Sequence, residues 1–88
     1  MANHKSALKR ARQDEKRRLR NRQVRTRVRG AVRTLRTAIE SGDHPSAQTA
    51  LREAERLIRR AASKGVIPAA RADRSVSRLS KAVHQLSS

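Results

Sequence analysis

Lys5, Lys9, Arg12, Lys16 and Arg20 follow one another at steps of three and four residues, and so do Arg18, Arg22, Arg25, Arg29, Arg33 and Arg36. Steps of that size line side chains up along one face of a helix, so each set forms a cationic stripe. At about 100° per residue the stripes lie on roughly opposite sides, with Arg10 and Arg17 between them. Fourteen of the first thirty-six residues are Lys or Arg against only Asp14 and Glu15, so this stretch carries +12 of the chain's formal +16. A merely solvated helix would intersperse acids, yet only Asp14 stands four residues ahead of a cation, Arg18. Like charges at this density repel one another. They persist beside a partner of repeating negative charge, where each neutralised phosphate releases a condensed counterion. The pattern predicts nucleic-acid binding.

Other chemistry finds little support. His4, His44 and His84 lie far apart in sequence, are expected at different parts of the fold, and have no metal-ligand spacing. Asp14 and Glu15 are adjacent, so on a helix they face different ways, and the surrounding Arg would keep both ionised. Ser63, Ser75, Ser77 and Ser80 have no orienting His or acid at a recognisable spacing. Gly42 and Gly65 read as helix terminators rather than phosphate-cradling loops. There is no Cys for a disulfide or thiolate site, which suits a reducing cytoplasm. No enzyme, cofactor or metal is expected.

The elements that must position the cations are helical. A pattern without Pro runs from about Ser6, a plausible N-cap, to Glu40, and only Gly30 interrupts it, at about 1 kcal/mol relative to Ala. Its second half carries Val24, Val28, Ala31, Val32, Leu35, Ala38 and Ile39 at helical spacing; its first half has only Leu8, Ala11 and Leu19. Ser41-Gly42 supplies the stop. Asp43-His44-Pro45 opens a second helix, about 45–63, closed by Lys64-Gly65. After the connector Val66-Ile67-Pro68, a third runs over about 69–86 with Ala72, Val76, Leu79, Val83 and Leu86 inward and Arg71, Arg74, Arg78 and Lys81 on another face. The fold class is all-α: an antiparallel three-helix bundle in a single domain. At 1.5 Å per residue the first helix would be about 52 Å long and the second about 28 Å, so about fifteen N-terminal residues overhang the bundle. Lacking an apolar face and a protein core, residues 6–22 are expected to be poorly helical alone and to order on a partner.

The basic region is followed by about two turns of apolar stripe rather than several heptads, which excludes a basic leucine zipper. The absence of Phe, Tyr and Trp removes the usual platforms for unpaired bases. The N-terminal half lacks the one-sided apolar face of a membrane-surface helix, and no run approaches a membrane span. Two opposed stripes suit a rod lying between phosphate backbones, such as close-packed RNA helices. A DNA-compacting protein indifferent to sequence is the alternative class.

Ala2-Asn3-His4-Lys5-Ser6-Ala7 followed by the run from Lys9 to Asn21 resembles the start of the bacterial small-subunit ribosomal protein S20 family. Lys64-Gly65-Val66-Ile67 resembles its second interhelical turn, and Ala72, Arg74, Ser77, Arg78 and Leu79 its third-helix signature. Pro68-Ala69-Ala70 departs from the polar, basic stretch usual there. The resemblance implies a cytoplasmic, ribosome-bound protein that binds 16S ribosomal RNA directly during subunit assembly. It implies a seat among helices of the RNA 5′ domain and against the long 3′ minor-domain helix, with few or no protein contacts and no homo-oligomer. RNA contact is carried onto Lys5, Lys9, Arg10, Arg12, Lys16, Arg17, Arg18, Arg20, Arg74, Ser77 and Arg78, while Arg22, Arg25, Arg29 and Arg33 rest on the stripe alone.

Overall fold

The computed structural model describes residues 2–87 and, among side chains, those of residues 5–86. Three helices follow in order: α1 Ala2–Glu40, α2 His44–Ser63 and α3 Ala69–Ser87. The all-α class expected from the sequence is the class observed, with no strand among the described residues. Ser6 does not cap α1 but lies inside it, because nothing between Ala2 and Ser6 breaks a helix. The helix also runs through residues 6–22, the stretch expected to depend on a partner for its stability. Residues 2–29 contain no Gly or Pro and are mostly Arg, Lys, Ala, Leu and Glu, which lose little rotamer freedom in a helix.

Both turns close in the same way. Gly42 and Gly65 take φ of +73° and +76°, a region only glycine enters freely. Gly42 N–H donates to Ile39 O at 3.1 Å and Asp43 N–H to Ala38 O at 3.3 Å. Gly65 N–H donates to Ala62 O at 3.0 Å and Val66 N–H to Ala61 O at 2.9 Å. These are Schellman pairs, which satisfy carbonyls that a helix end leaves orphaned. Asp43 then caps α2: its carboxylate accepts from Ser46 N–H at 3.2 Å and from Ser46 Oγ–H at 2.7 Å. Those bonds, the hydroxyl first, hold the Asp43 carboxyl below its ordinary range. Pro45 falls in the first turn of α2, where its missing N–H costs nothing.

Two apolar clusters fix the topology. One joins Leu35 and Ala38 of α1 to Ala47 and Ala54 of α2 and Val83 of α3. The other joins Val28 and Val32 of α1 to Ile58 of α2 and to Ala72 and Val76 of α3. The end of α1, the start of α2 and the end of α3 therefore meet at one pole, so α2 runs antiparallel to both neighbours. His44 and His84, expected at different parts of the fold, both belong to that pole; among the described residues no group of three His, Cys, Asp or Glu could hold a metal. Ala47, Ala54 and Ala61 are fully buried at seven-residue spacing along α2. Small side chains at that repeat let both neighbours approach the α2 backbone closely. Among the described residues only Leu35 and Ile58 are large and fully buried, so the core is thin.

α1 outruns this bundle. Every residue from Lys5 to Arg20 is exposed, and Asn21 is the first to be partly covered. Leu8 and Leu19 stand 55% and 50% exposed, too isolated to form a packing face. The Cα extents are 67 × 21 × 13 Å and the radius of gyration is 17.7 Å, against about 12 Å for a compact chain of this length.

Candidate nucleic-acid interface

The surface divides by how its charges are partnered. Glu53 pairs with Arg56 at 2.7 Å, Glu55 with Arg59 at 3.3 Å, and Arg59 also reaches Asp73 at 3.2 Å, joining α2 to α3. Arg56 pulls the Glu53 carboxyl below its ordinary range, and Glu53 raises Arg56 in return. Such exposed pairs add little to stability, but they cancel charge locally. Among the described residues no cation of α1 makes an ion pair, the Asp14 to Arg18 spacing included. The positive field is concentrated on one helix rather than spread over the molecule.

That field has two geometries. On the projecting part of α1, Lys5, Lys9, Arg12, Lys16 and Arg20 run along one side, Arg18 and Arg22 begin the other, and Arg10 and Arg17 lie between. All of them are exposed. No carboxylate stands in the first turn of α1 to offset the helix dipole, so its free end is electropositive in backbone as well as side chains.

Where α1 enters the bundle, its second stripe meets α3 across an open groove of about 490 Å³. Arg25, Arg29 and Arg36 line it from α1, and Arg71 and Arg78 from α3. Its floor includes Val28, Val32, Ile67 and Leu79, all half-buried. The groove exists because α1 and α3 are both held by α2 and touch each other little. Arg25 Nη2 donates to Val66 O at 3.5 Å, a long bond that leans the side chain over the second turn.

The sequence candidates thus separate. Arg25, Arg29 and Arg78 reach the groove; Arg33, Arg74 and Ser77 are exposed outside its lining. Arg36 and Arg71, which spacing places in stripes but which were not candidate contacts, complete the rim. Ser75, half-buried on the wall, was considered only as a nucleophile. No spacing rule could have found this site, because it depends on how α1 and α3 rotate against α2.

The fold and surface define a small helical protein with a dense array of cations on one projecting helix, none of them in an ion pair among the described residues, and a groove rimmed by arginines beside it. A family model described as ribosomal protein S20 matches residues 2–84, and the chain belongs to that family. It is 54% identical to the small ribosomal subunit protein bS20 of Maridesulfovibrio salexigens, over 98% of this chain and 99% of that one. It is 56% identical to the bS20 of Anaeromyxobacter sp., over 93% and 90% of the two chains, and 53% identical to that of Geotalea daltonii, over 99% and 100%. The family is one of ribosomal structural proteins, not of enzymes. Among the described residues no helix is long and apolar enough to cross a membrane.

Proposed function

We propose that this chain is a structural constituent of the small ribosomal subunit that binds 16S ribosomal RNA directly. It helps fold and hold the RNA 5′ domain and 3′ minor domain during assembly, and works in the cytoplasm as part of the ribosome. The relatives are all named as small-subunit proteins, which supports the subunit assignment. The observation that carries direct RNA binding is the projection of α1: residues 5–20 are wholly exposed, densely cationic and without an ion-pair partner. Such a rod gains its stabilisation from phosphates on both sides, so it draws RNA helices together by neutralising them. The contacts are Lys5, Lys9, Arg10, Arg12, Lys16, Arg17, Arg18, Arg20, Arg22, Arg25, Arg29, Arg33, Arg74, Ser77 and Arg78. Metal ions and cofactors have no part in this mechanism, and protein neighbours little.

Gradient fractionation of a lysate containing the tagged chain tests the assignment. The protein should travel with the small subunit at physiological salt. Recovery with chromosomal DNA, or equal affinity for random duplex DNA and the 5′-domain RNA at one salt concentration, would replace this reading with DNA compaction.

A further inference from the structure

The groove between α1 and α3 is built differently from the projecting rod. A rod of charge needs no apolar surface, yet here five arginines surround a floor on which Val28, Val32, Ile67 and Leu79 pack against the core but keep part of their surface in water. Leaving apolar area exposed forgoes about 25 cal/mol per Å², so an occupant with an apolar face is favoured. Its charge must be negative, since no acid lines the groove. A double helix would rest on the rim and leave the floor uncovered. An unstacked nucleotide has both features, a flat apolar base and an anionic linkage on either side.

Building on the RNA-binding reading above, we propose that the groove takes one unpaired nucleotide of the bound RNA, its base on the apolar floor and its flanking phosphates on the arginine rim. Continuity selects RNA over an acidic peptide. Arg18 and Arg22 lead along α1 into Arg25, Arg29 and Arg36, so the polyanion that follows the rod arrives at the groove. The chain has no aromatic ring to stack on the base, but guanidinium planes stack on bases too, and Arg71 and Arg78 stand at the opposite wall. The Ser75 hydroxyl, half-buried on the same wall, supplies a donor and an acceptor to a base edge.

Base-specific chemical probing of full-length 16S ribosomal RNA with the full chain tests this. Two variants are compared with wild type. The pair Arg71→Lys with Arg78→Lys keeps both charges and removes the planar groups; Ser75→Leu fills the groove from its wall. Wild type should protect an unpaired base that both variants leave reactive, with the backbone footprint retained and affinity reduced roughly two- to thirty-fold. The lysine variant changes only exposed positions, so it decides the matter even if Ser75→Leu misfolds. Unchanged base protection and affinity in the lysine variant would overturn the groove assignment alone. So would saturable binding of polyglutamate that Ser75→Leu abolishes without affecting RNA. Absence of any wild-type footprint would instead sink the RNA-binding reading itself.

Discussion

Gly30 and Gly65 respond oppositely to one substitution. Gly30 sits in the interior of α1, where a Cβ would meet nothing within 4 Å. Gly30→Ala should therefore stabilise the free protein by up to about 1 kcal/mol. Gly65 holds φ of +76° to complete the Schellman turn, so Gly65→Ala should destabilise by roughly 1–2 kcal/mol. Urea titration of both variants checks the pair, and shifts of the same sign would contradict it. Asp43 adds a pH dependence. Its carboxyl is held below its ordinary 3.8 by the Ser46 hydroxyl and N–H, so its contribution is fully present above 3.8 and lost as pH falls through the lower folded value. Asp43→Asn keeps an acceptor for the Ser46 N–H but cannot titrate. Its thermal midpoint should fall less than that of wild type between about pH 5 and pH 2. Identical profiles would remove Asp43 from the acid response.

At the scale of the element, α1 is one continuous helix held by two different means. From Val28 to Ile39 it packs into both apolar clusters. From Lys5 to Arg20 it has only its own hydrogen bonds and side-chain propensities. There Lys5–Lys9, Arg12–Lys16 and Lys16–Arg20 are like-charge pairs four residues apart, each costing about 0.2–0.5 kcal/mol. A helical stretch of that length without packing is marginal in water. In the free protein, amides of residues 9–20 should therefore exchange far faster than those of Leu35 and Ala38, and RNA should slow them. Equal protection along α1 without RNA would show that the projecting half needs no partner. Much of this element was legible in the sequence: the apolar stripe that starts at Val24 foretells the packing that starts one turn later at Val28, and Gly42 and Gly65 mark the turns. Its beginning was not, since Ser6 looks like a cap only if the residues before it are not helical. Propensity alone decides that.

The whole molecule is a rod attached to a small bundle, with cations sorted accordingly. On α2 and α3, acids partner Arg56 and Arg59; on α1 the described cations have none. The asymmetry between the two ends of the chain was legible in the sequence because charge density needs no tertiary structure. The groove was not, because Arg29 and Arg78 are 49 positions apart and meet only through the way α2 holds both neighbours. The central claim is electrostatic: α1 binds by neutralising phosphates on more than one side. The salt dependence of filter binding between the full chain and the 16S 5′-domain RNA measures it most directly. With about eight phosphates neutralised, the plot of log affinity against log salt should have a slope of roughly −6 to −7. A slope near −1 would contradict the account.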